Sequence, residues 1–97
     1  MESKTQEECN KILRDLKIEF VHIPANVRKR MHRKGMPDLL FYKDPNAFAI
    51  ELKDPGKALS KDQSDYMERL HHNGWICRVC FSTEGFLDIL KEYGVIR

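Results

Sequence analysis

No stretch of this 97-residue chain comes near the ~20 consecutive apolar residues of a membrane-spanning helix. The opening Met1-Glu2-Ser3-Lys4 lacks a signal-peptide pattern. Neither a membrane nor a secreted role is expected. Cysteine is scarce, and the three present cannot all pair within one chain, which suits a reducing compartment better than a disulfide scaffold. There is no internal repeat, no low-complexity linker and no glycine-rich phosphate loop, so neither an ATP-driven activity nor a nucleotide cofactor has support. What is present is ordinary globular composition, 41% hydrophobic and 33% charged, which argues against disorder. The length suits one small domain, residues 1–97, with a thin core.

The formal net charge of +2 hides an uneven distribution. Met1 to Val27 carry four Lys/Arg against five Asp/Glu, and Gly35 to Arg97 carry eight against ten. Between them Arg28-Lys29-Arg30-Met31-His32-Arg33-Lys34 holds five Lys/Arg and no acid. A slightly acidic chain thus bears one concentrated basic segment. Such a cluster serves a polyanion or solubilises a surface loop, and charge alone does not choose.

Periodicity predicts a helix over Glu2 to Leu16, with Cys9, Ile12, Leu13 and Leu16 in one stripe. Lys17 to Ile23 alternates as a strand that Pro24 ends. Pro37 to Tyr42 and Ala47 to Lys53 are two further strands, joined by the turn residues Asp44-Pro45-Asn46. After Asp54-Pro55-Gly56, Ser60 and Gln63 have capping-box spacing at the start of a helix that runs to about His72, with Gly74 as its stop. Trp75 to Phe81 is a strand, and Ser82 caps a last helix carrying Phe86, Leu87, Leu90 and Tyr93. The α-β-β-β-α-β-α order implies an α/β fold with a mixed sheet flanked by helices on both faces.

The hairpin is the most informative segment. A turn at Asp44-Pro45 pairs Phe41 with Phe48 and Leu39 with Ile50, apolar on both strands, and sets Asp38 opposite Glu51. Lys53 shares the Glu51 face. Two carboxylates held that close repel unless a cation lies between them, and an oxygen-preferring divalent ion such as Mg²⁺ fits. Lys53 then places or activates an attacking water, or stabilises phosphate charge. The competing reading is an exposed strand end with a cross-strand Glu–Lys ion pair. Gln63 lies in line with Tyr66, Met67 and Leu70 on the apolar stripe of its helix, where an amide needs a partner. It serves either the capping box or the carboxylates. Glu2 projects along the first helix's stripe, either as a further metal contact or as an acid favoured in a first turn.

Gly35-Met36-Pro37-Asp38, Glu51-Leu52-Lys53 and Gln63 together resemble the signature of VRR-NUC domains, the virus-type replication-repair nucleases of the PD-(D/E)XK superfamily. Glu2-Ser3-Lys4-Thr5-Gln6, His22-Ile23-Pro24-Ala25-Asn26 and the strand after Gly74 are similar to that family too. The resemblance implies a restriction-endonuclease-like core and a Mg²⁺- or Mn²⁺-dependent phosphodiesterase. It implies Asp38, Glu51 and the Leu52 backbone carbonyl as metal ligands, Glu2 as the helix-one acid, and Lys53 and Gln63 as catalytic residues. Stand-alone members of this size resemble phage and bacterial homodimers, some similar to Holliday-junction resolvases. A cytoplasmic setting follows, that of the bacterial host for a phage protein. Arg28, Lys29, Arg30, His32, Arg33 and Lys34 lead straight into the proposed site and are expected to contact DNA phosphates without reading sequence.

Three other signals are discounted. Cys77 and Cys80 form a C-x-x-C within a strand, where residues three apart face opposite sides, so a zinc or redox role is not expected. His71-His72 reads as a surface pair at a helix end, and Trp75 as a core or interface aromatic. The leading expectation is a metal-dependent endonuclease on branched DNA, probed against a flap, nicking or single-strand nuclease with the same site. From another class comes a DNA-binding module without catalysis, which would gain nothing from acids beside phosphates.

Overall fold

The computed structural model describes residues 2–24 and 34–97, with the side chains of Glu2 and Ser3 left aside. Seven elements follow in chain order: α1 (Glu2–Asp15), β1 (Phe20–His22), β2 (Leu39–Lys43), β3 (Asn46–Leu52), α2 (Lys61–His72), β4 (Ile76–Cys80) and α3 (Thr83–Glu92). The strands lie in the order β1-β2-β3-β4. β1–β2 and β2–β3 are antiparallel, and β3–β4 is parallel through the α2 crossover. This is the mixed α/β sheet expected from the order of patterns.

The hairpin register is the expected one, with Phe41 paired to Phe48 and Leu39 to Ile50. One sheet face carries Leu39, Phe41, Phe48, Ile50 and Leu52, all buried, and α1 and α3 cover it. Phe41 and Phe48 stack with ring centroids 4.8 Å apart, and Phe86 of α3 meets Phe41 edge-on at 6.0 Å. Cys9 and Leu13 of α1 and Leu90 of α3 close this core without solvent contact. α2 packs on β4 from the opposite side, where the Cys77 thiol donates to the Met67 carbonyl at 3.4 Å. Cys80 lies in the first core instead, so the two thiols of the C-x-x-C do face apart. On the face served by α2 the β1–β2 region is more open. Val21 and Tyr42 are exposed there and join Leu40 and Trp75 in lining an apolar groove of about 240 Å³.

The first strand is shorter than its alternation suggests. α1 closes through a reversal in which Lys17 N–H donates to the Arg14 carbonyl and Ile18 N–H to the Leu13 carbonyl, both at 2.9 Å. Lys17 sits at the left-handed position of this motif, with φ +59°. Residues up to Glu19 are spent on reversing the chain, so β1 is three residues long and Leu16 is 38% exposed rather than packed. α2 begins with the full Ser60–Gln63 capping box and α3 with Ser82, whose hydroxyl accepts from Gly85 N–H.

Candidate active site

The site forms where β2 begins, β3 ends and α2 begins. Met36 and Pro37 are buried and anchor the approach to β2. Gly35 explains how closely that approach lies on α2. A Cβ built there would stand 2.2 Å from the Asp62 carbonyl oxygen and 2.9 Å from Gln63 N, and φ is +87°. Only glycine accepts both the contact and the backbone conformation. The segment bearing Asp38 is thereby pressed onto the first turn of α2.

Asp38 departs from the simple cross-strand picture. The paired ladder stops at Leu39–Ile50, and Asp38 lies in a bend just before β2. Its Oδ2 accepts the backbone N–H of Leu52 at 2.7 Å, while its own carbonyl accepts from Ile23 N–H at 3.4 Å. The carboxylate is thus tied to the end of β3. A residue in an extended strand presents its N–H and C=O to the same edge. The Leu52 carbonyl therefore shares the strand edge on which Asp38 sits.

Glu51 is 3% exposed, among the most buried charged groups in the described chain. Burying an ionised carboxylate is costly without hydrogen bonds or an opposite charge. Gln63 Nε2 donates to Glu51 Oε2 at 3.0 Å, and Lys53 Nζ stands 3.8 Å from the same oxygen. The Lys53 side chain is itself 20% exposed and well screened from water. Its backbone N–H donates to the Cys80 carbonyl at 2.9 Å, extending the parallel ladder by one bond and fixing where the side chain starts.

Gln63 performs both roles that its position allowed. Its Oε1 accepts from Ser60 N–H at 2.9 Å and completes the capping box, while its Nε2 serves Glu51. Asp38, Glu51, Leu52, Lys53 and Gln63 are brought to one end of the sheet. Glu2 opens α1, but its side chain lies outside the described residues. Arg28, Lys29, Arg30, His32 and Arg33 also lie outside them, and Lys34 is exposed. A polar chain that sequence reasoning missed runs along α1. Gln6, only 7% exposed, donates to Asn10 at 2.9 Å, and Asn10 lies 3.4 Å from His22 Nδ1. The spacing of Gln6 and Asn10, one helical turn apart, was the available signal.

No group of three or more His, Cys, Asp or Glu converges among the described residues. Among the described residues, the sheet end brings together two carboxylates, an amide and a backbone carbonyl. That set suits a hard cation such as Mg²⁺ or Mn²⁺, which takes one or two carboxylates and completes its shell with water and phosphate oxygens.

Residues 2–84 match a family model described as the VRR-NUC domain. Solved structures share the fold, among them these two. One, described as a VRR_NUC domain, aligns with TM-score 0.73 and 22% identity over 95% of each chain. The other, described as a VRR_NUC domain protein, aligns with TM-score 0.65 and 21% identity over 92% of this chain and 87% of its own. Comparison with curated protein sequences gives no match.

Proposed function

Because this chain belongs to the VRR-NUC domain family, a family of nucleases, we propose that it is a Mg²⁺- or Mn²⁺-dependent DNA endonuclease selective for branched structures. The supporting observation is the buried Glu51 carboxylate, held by Gln63 and neighboured by Lys53, at the sheet end where Asp38 is tied to Leu52. A binding module has no use for a desolvated acid beside phosphates, whereas phosphodiester hydrolysis does.

Asp38, Glu51 and the Leu52 carbonyl would hold the cation, with Glu2 as a further carboxylate. A divalent ion bound there supplies Lewis-acid stabilisation of the phosphate and lowers the pKa of a water. The protein's own groups do the rest. Leu52 N–H orients the Asp38 carboxylate, and the Gln63 amide holds the Glu51 carboxyl group in place by its hydrogen bond. Lys53 brings an ammonium to the reacting end of the strand, where it orients the attacking water or neutralises charge growing on the phosphate. Arg28, Lys29, Arg30, His32, Arg33 and Lys34, the basic segment that precedes Gly35 in the sequence, would supply sequence-independent phosphate contacts. A homodimer suits this role, since a two-fold enzyme makes paired cuts on a four-way junction as a Holliday-junction resolvase does.

The test is cleavage of four-way junctions, flaps, duplex and single strands, with and without Mg²⁺ or Mn²⁺. Glu51→Ala and Lys53→Ala are each expected to lower the rate by at least about 100-fold. No metal-dependent cutting of any substrate, or full activity in Glu51→Ala, overturns this reading. Symmetric cuts on junctions, with a dimer in analytical ultracentrifugation, support the resolvase form. Preferential flap cutting by a monomer replaces it with a flap nuclease.

A further inference from the structure

The geometry points to Ser60, through its backbone N–H, as a positioning residue that sets which end of the Gln63 amide meets Glu51. The inference rests on the nuclease reading for its consequence in catalysis. A glutamine amide has an accepting oxygen and a donating nitrogen of nearly the same size and shape. Either end could be presented to the sheet. Only the nitrogen can support a carboxylate, because an oxygen placed 3.0 Å from Glu51 Oε2 would repel it.

Ser60 removes the ambiguity. Its backbone N–H is a donor only, and it takes Gln63 Oε1 at 2.9 Å. With the oxygen engaged there, Nε2 is turned toward Glu51. Two further contacts hold the frame. Gln63 N–H donates to Ser60 Oγ at 3.1 Å, and Ser64 N–H donates to the Ser60 carbonyl at 2.9 Å. Gly35 seats the Asp38 segment directly on Asp62 and Gln63. The helix cap and the carboxylate site are therefore one hydrogen-bonded unit running Ser60 N–H, Gln63 amide, Glu51 carboxylate. Loss of such an outer partner of a metal-ligating group costs about 10–100-fold in metal affinity or activity.

Ser60 has φ −70°, close to the angle that proline imposes, so Ser60→Pro deletes the N–H on a compatible backbone. Ser60→Ala deletes Oγ and keeps the N–H, and is the reference. Wild-type cleavage with metal tests the nuclease reading by itself. The positioning role is read by NMR of the Gln63 side-chain amide, by Mn²⁺ titration, and by the kcat and KM of both variants. Ser60→Pro is expected to lose the slow exchange of the Gln63 amide protons. Its Mn²⁺ affinity and kcat are expected to fall about 10-fold below those of Ser60→Ala, with KM little changed. Equal kcat and Mn²⁺ affinity in the two variants overturns the inference. Should Ser60→Pro not fold, the amide of wild type and Ser60→Ala decides, and exchange as fast as that of a solvated glutamine in either one overturns it.

Discussion

At Gly35 a single hydrogen stands where any other residue would place a carbon. Gly35→Ala sets a methyl against a backbone carbonyl that cannot rotate away, in a backbone region that L-residues avoid. A loss of roughly 2–4 kcal/mol is expected, read as the shift of a urea midpoint at unchanged slope. A loss below the scatter of the measurement would show that α2 yields. The thiols make a second case. Burial pushes Cys9 and Cys80 up from 9.0 to about 12, with the neighbouring Cys80 adding to the effect on Cys9. Cys77 is also raised, by burial. A group raised in the folded state stabilises fully below its unfolded pKa and loses that contribution as pH rises toward the folded value. Stability should therefore decline between about pH 9 and 12. At neutral pH a thiol reagent should modify Cys77 before Cys9 or Cys80, which are 0% and 2% exposed. Equal modification of all three in the native protein would contradict this core.

At the scale of elements, chain reversals were the least legible part of the sequence. α2 ends with Gly74 at φ +90°, with Gly74 N–H and Trp75 N–H donating back to His71 and Leu70, and glycine announced that stop. α1 ends in the same hydrogen-bond pattern with lysine at the left-handed position, and nothing in the residue type marks it. That is why the alternation places the strand start at Lys17 although pairing starts at Phe20. Lys17→Gly is expected to stabilise the protein by about 1 kcal/mol in thermal or urea denaturation, since it relieves the left-handed conformation. The hairpin was legible because Phe41–Phe48 and Leu39–Ile50 are apolar on both strands, and a one-residue slip would put each on the wrong face. Its extrapolation to Asp38 was not, because the bend before β2 depends on Gly35 lying against α2 and on the burial of Met36 and Pro37. The double use of Gln63 was legible only as two alternatives, since spacing shows which groups are near but not that one amide has two ends to give.

For the whole molecule, charge is divided between one basic segment and a slightly acidic remainder, and the proposed function assigns that segment to DNA phosphates. Each phosphate contact releases counterions, so log K for DNA should fall linearly with log[salt]. Replacing Arg28 and Arg30 with Gln should lower the magnitude of that slope by about 2, with equal weakening across sequences. A slope unaffected by these changes would place the DNA on another surface.

Asp38, Glu51, Leu52, Lys53 and Gln63 all come from one uninterrupted piece of chain, Gly35 to Gln63, folded as a hairpin and the start of a helix. Bringing them together closes only short loops, which is entropically mild. α1, β4 and α3, by contrast, join from afar and supply the core against which that piece is braced. That cluster is thus portable: insertions before Gly35 or beyond α2 would change the surface around it while leaving the arrangement of these five residues whole.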